Sequence, residues 1–77
     1  MSRKTLKLAI VASELTHQSL AIKANAYLPQ DLHLSEHDIT RIVTYRKDPT
    51  PEQATALARV LGWLVVEIFP EEGPHHA

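Results

Sequence analysis

The chain has 77 residues, no cysteine, 44% apolar residues and a formal net charge of −1. Such a length allows one domain with a small core, and the lack of cysteine excludes a disulfide framework or a thiolate metal site. No run of ~20 apolar residues and no signal-like apolar stretch is present, so no spanning helix is expected and a soluble, cytoplasmic protein is.

The helices can be taken in chain order. Thr5 to Glu14 reads as a first helix, with Leu6, Ala9, Ile10 and Ser13 on one face and Leu8, Val11 and Ala12 widening it. After a break at Leu15, Thr16 is an N-cap for a second helix from His17 to about Tyr27. Its inner stripe is Leu20, Ala21, Ala24 and the Tyr27–Leu28 pair, and Pro29 ends it. Gln30 to Leu34 is a connector. Ser35 then caps a third helix running to about Thr44, with Asp38 three residues on in a capping-box arrangement. Ile39, Ile42 and Val43 are its buried side, leaving Glu36, His37, Thr40, Arg41 and Thr44 outside.

Tyr45 to Pro49 is a basic loop. Thr50-Pro51-Glu52-Gln53 supplies an N-cap, a proline at the first helical position and a glutamine three residues after the cap, the clearest start signal in the chain. The fourth helix buries Ala54, Leu57, Ala58 and Leu61, and Gly62 stops it. Leu64 to Phe69 suits a short fifth helix, although Val65-Val66 also suits a strand. The tail 71–77 is expected to fray. The fold class expected is all-α: a compact bundle of four to five helices, one domain over 1–77 with its core at about 5–70.

Charge is unevenly placed. Residues 1–47 carry seven basic side chains (Arg3, Lys4, Lys7, Lys23, Arg41, Arg46, Lys47) and four acidic ones (Glu14, Asp31, Glu36, Asp38). Residues 48–77 carry one basic side chain, Arg59, and five acidic ones. A basic front on a near-neutral chain fits a surface that faces phosphate.

The ordered set LTHQSLA (Leu15 to Ala21), LSEHDITRI (Leu34 to Ile42), RKDPTPEQATALARVLG (Arg46 to Gly62) and VVEIF (Val65 to Phe69) resembles the lambda-repressor-like, Cro/XRE-type helix-turn-helix family. The resemblance spans about residues 6 to 70. It implies sequence-specific binding of double-stranded DNA by a small transcriptional regulator, with the third helix in the major groove and the start of the second against the backbone. Base contacts would fall to Glu36, His37, Thr40 and Arg41, since arginine can fork onto guanine and a carboxylate can accept from cytosine N4. Phosphate contacts would fall to His17, Gln18, Thr44, Arg46 and Lys47. A homodimer on two half-sites is expected, with Trp63, Val65, Val66 and Phe69 as a dimer patch or a cap on the core.

The chain departs from the family's pattern in two places. Asn25 takes the family's glycine position and the eight residues 26–33 are additional, lengthening the second helix, bulging as a loop, or both. Tyr45 replaces the small residue, usually glycine, after the third helix. The alternative reading is a protein-interaction module on the same fold, antitoxin-like or adaptor-like, favoured by the low net charge, by Glu36 and Asp38 and by the lengthened turn. An enzyme is not expected, because no nucleophile–base pair or phosphate loop is seen. His33-Leu34-Ser35-Glu36-His37 spells a zinc signature, but the Ser35 cap leaves His33 outside the helix, so no metal, cofactor or small-molecule ligand is expected.

Overall fold

A computed structural model describes residues 3–70. They form five α-helices and one 3-10 turn: α1 Lys4–Ala12, α2 His17–Asn25, the turn Gln30–Leu32, α3 Glu36–Val43, α4 Pro51–Leu61 and α5 Val65–Ile68. No strand is present among the described residues, so the Val65–Val66 segment resolves as helix. The tail expected to fray, 71–77, lies outside the described residues. No helix among them is long and apolar enough to cross a membrane.

Three of the helices start in the same way. Thr16, Ser35 and Thr50 each accept from the backbone N–H three residues on, and Ser19, Asp38 and Gln53 each reach back to the cap's own N–H. Each box satisfies two donors that the first helical turn would otherwise leave open, and a cap of this kind contributes about 1 kcal/mol. The caps therefore set where α2, α3 and α4 begin, and Pro51 fits the first position of α4 because its missing N–H would have had no partner there.

The helix ends are also regular. After α1, α3 and α4 the chain turns through a left-handed residue: Glu14 (φ 60°), Tyr45 (φ 62°) and Gly62 (φ 77°). At α3, Arg46 N–H bonds Arg41 C=O at 2.8 Å and Tyr45 N–H bonds Ile42 C=O at 3.3 Å, the paired bonds of a Schellman turn. A left-handed position of this kind favours glycine, and tyrosine occupies it at a steric cost.

The core is one cluster to which every helix contributes. Leu6, Ala9 and Ile10 of α1 meet Leu20, Ala21 and Ala24 of α2, Ile39, Ile42 and Val43 of α3, Ala54, Leu57, Ala58 and Leu61 of α4, and Ile68 and Phe69 at the C-terminal end. Alanines at five of these positions let the short helices approach closely. The widened inner face expected for α1 is not found: Leu8 is 66% and Val11 67% exposed, and Ala12 is exposed as well. Nine residues of helix have room to bury one narrow stripe in so small a bundle. Tyr27 likewise lies on the surface while Leu28 is buried.

Candidate nucleic-acid interface

The outer face of α3 is built by subtraction. Ile39, Ile42 and Val43 are buried. Helical periodicity then turns Glu36, His37, Thr40 and Arg41 outward, and all four are exposed. The two acidic residues of this helix, Glu36 and Asp38, lie in its first turn, where they complement the positive end of the helix dipole.

The start of α2 meets this face. His17 Nδ1 is 2.8 Å from Thr40 Oγ1, and the Thr40 hydroxyl is 3.2 Å from the Glu36 carbonyl oxygen. The N-terminal end of α2, with exposed Gln18 beside half-buried His17, therefore lies against the middle of α3.

Residues 26–33, which connect α2 to α3, are fastened at their base. Asn25, the last residue of α2, donates from Nδ2 to the Leu34 carbonyl at 2.9 Å and accepts from the Leu34 N–H at 2.7 Å. One amide side chain thus ties the chain leaving α2 to the chain entering α3. Inside the closed loop, His33 Nε2 donates to Leu28 C=O at 3.2 Å, and Gln53 Nε2 from α4 donates to Leu32 C=O at 2.8 Å. Leu28 and Leu34 are buried and Leu32 packs against the core. Residues 26–33 form a bulged, fastened loop containing a 3-10 turn, and α2 stops at Asn25 rather than at the expected Tyr27. The bond from His33 also gives that histidine a local structural role.

Beyond α3, the basic residues separate into two groups. Arg46 is exposed directly after the helix. Lys47, expected as a second phosphate contact, is only 33% exposed and its Nζ lies 3.1 Å from Asp38 Oδ1, so its charge is already engaged within the protein. Thr44 bonds within its own helix. Its hydroxyl lies 2.9 Å from the Thr40 carbonyl and 3.3 Å from that of Arg41. Its proton is used inside the helix, and a phosphate oxygen needs a donor.

Arg3, counted above with the phosphate-facing charges, is 2% exposed. Its backbone N–H bonds Val43 C=O at 2.8 Å and its Nε bonds Ile42 C=O at 2.8 Å. Both carbonyls belong to the last turn of α3, which lacks helical donors and carries the negative end of the dipole. Nη2 pairs with Asp48 at 2.8 Å, and the guanidinium lies 4.4 Å from the Tyr45 ring centroid and 5.3 Å from that of Phe69. Arg3 thus caps α3 from outside. Forty residues separate it from the carbonyls it serves, so no local pattern announces it.

The expected apolar patch divides. Phe69 is 0% exposed and belongs to the core, and Val65 packs partly against it. Trp63 and Val66 are exposed, joined by Leu64, which the sequence did not single out.

The pKa of Asp38 is lowered. The Ser35 backbone N–H bonds its carboxylate and lowers the pKa below the ordinary aspartate range, with Lys47 adding to the effect against a smaller opposing cost of burial.

In comparisons with known proteins, no family model, no curated protein and no solved structure gives a significant match.

Proposed function

We propose that this protein binds double-stranded DNA in a sequence-dependent way, as a small transcriptional regulator of the lambda-repressor-like helix-turn-helix type, acting as a homodimer. α3 would lie in the major groove, with Glu36, His37, Thr40 and Arg41 toward the bases. His17, Gln18 and Arg46 would contact phosphate. The observation that carries this reading is the 2.8 Å contact between His17 and Thr40, which sets the start of α2 against the outer face of α3. A helix N-terminus beside a groove-reading helix offers free N–H groups to the phosphate backbone.

The test is a salt series on a pool of random duplexes. Arg46 is the one cationic side chain among these phosphate contacts, so log affinity should fall with log salt at a slope of about −1 per protomer. Arg46→Ala should weaken binding to all sequences alike and reduce that slope by about 1, whereas Arg41→Ala should relax preference at one base position. No retention of any duplex at low salt would reject DNA binding.

The second reading is a protein-interaction module on the same fold. It is favoured by the engagement of Arg3 and Lys47 with Asp48 and Asp38, which removes two cations from the phosphate-facing surface. In that case the same salt series shows no binding and a partner occupies an exposed face.

A further inference from the structure

The Thr40 hydroxyl has one proton and two acceptor sites. It sits 2.8 Å from His17 Nδ1 and 3.2 Å from the Glu36 carbonyl oxygen. Two arrangements satisfy these distances. In one, the hydroxyl donates to Glu36 C=O and accepts from His17 Nδ1–H. In the other, it donates to an unprotonated His17 Nδ1. In the first the proton goes to Glu36 whether or not His17 is present; only in the second does His17 itself hold it. The other charged groups of α3 near Thr40 are Glu36, His37 and Arg41. On α2 itself the remaining charge is Lys23 in its last turn. The charges of α4, Glu52 and Arg59, line the groove beside Tyr27 at the far end of α2.

Resting on the DNA-binding reading, we propose that His17 Nδ1 accepts the Thr40 proton, which makes His17 a positioning residue and Thr40 an acceptor-only reader of the major groove. A base opposite Thr40 must then donate. Cytosine N4 and adenine N6 offer an amino hydrogen there, whereas guanine presents two acceptors, O6 and N7. Thr40 therefore favours cytosine or adenine on the strand it faces and disfavours guanine. A threonine free of His17 would have only the longer bond to Glu36 to give up before donating to guanine.

The experiment selects binding sites from random duplexes with the wild-type protein and with Thr40→Val, His17→Ala and His17→Gln. The position whose preference changes in Thr40→Val is the one Thr40 faces. The wild type should discriminate against guanine there by a factor on the order of five, the scale of one hydrogen bond. Thr40→Val should lose the preference for amino-bearing bases. His17→Ala should admit guanine at that position alone, besides any uniform loss of affinity, and His17→Gln, which can still reach the hydroxyl, should restore discrimination. In the free protein, Thr40→Val should shift the Nδ1 resonance of His17 and not that of His37. Equal base preferences for wild type and His17→Ala, in proteins that both bind DNA, would overturn this inference and leave the proposed function standing. Failure of the wild type to bind any duplex would remove both.

Discussion

The Asp38 carboxylate accepts from Ser35 N–H at 2.9 Å and from Lys47 Nζ at 3.1 Å. Both bonds favour its ionised form, and its pKa is lowered accordingly. A carboxylate that holds its proton less tightly in the folded chain than in the unfolded one stabilises the fold above the ordinary aspartate range, near about pH 4, and loses that contribution as pH falls through the lowered value. Wild-type urea midpoints should therefore drop more steeply from pH 5 toward pH 2 than those of Asp38→Asn, and parallel curves would reject this role. Glu14 offers the opposite kind of test. It is exposed and left-handed at φ 60°, a conformation that costs non-glycine residues about 1 kcal/mol. Glu14→Gly should raise stability by up to ~1 kcal/mol, read as a higher midpoint at unchanged slope. The caps were legible at this scale because a cap and its partner stand three residues apart. The strain at Glu14 was not, because its neighbours carry no glycine or asparagine to mark a turn.

At the scale of elements, the junction between α2 and α3 rests on Asn25. Its side chain satisfies both backbone groups of Leu34, which is itself buried. Asn25→Ala leaves those groups without partners and should cost about 2–3 kcal/mol. If the junction positions α3, the variant should also lose base preference more than overall affinity, since phosphate contacts depend less on the pose of the helix. A stability change below ~0.5 kcal/mol would show that the loop closes without this amide. A connector between α2 and α3 was visible in the sequence, but its course was not. Gln53 and Leu32 stand twenty-one positions apart, and no short-range pattern links them. Arg3 extends the same lesson, since a residue read as a surface cation proves to cap α3.

At the scale of the whole molecule, the surface divides into an α3 face with Arg41 and Arg46, an α1 face where Lys4 and Lys7 border Leu8 and Val11, and an apolar edge at Trp63, Leu64 and Val66. If the homodimer forms through that last edge, Val66→Lys should shift the sedimentation coefficient to the monomer value without unfolding the chain. Phe69→Ala should instead lower stability by about 3–5 kcal/mol whatever the oligomeric state, because Phe69 is buried in the core. A wild-type monomer at micromolar concentration would remove the dimer from the proposal.

The sequence by itself determined where α2, α3 and α4 begin and where α4 ends, because N-caps, a first-position proline, a terminal glycine and the spacing of apolar residues act within a few positions of chain, whereas α1 ends at Ala12 and α2 at Asn25, each two residues short of the expected Glu14 and Tyr27. It also determined which residues of α3 face outward, since periodicity alone separates Ile39, Ile42 and Val43 from Glu36, His37, Thr40 and Arg41. The tertiary structure decided what those outward residues have left to offer. Lys47 and Arg3 find carboxylates, Thr44 turns its proton back into its helix, Phe69 enters the core, and His17 reaches Thr40. Each of these depends on a partner brought near by packing or, for Thr44, on a competing carbonyl in the same turn. Charge and hydrogen-bonding capacity can be counted along a chain, but only the folded arrangement shows how much of either is already spent.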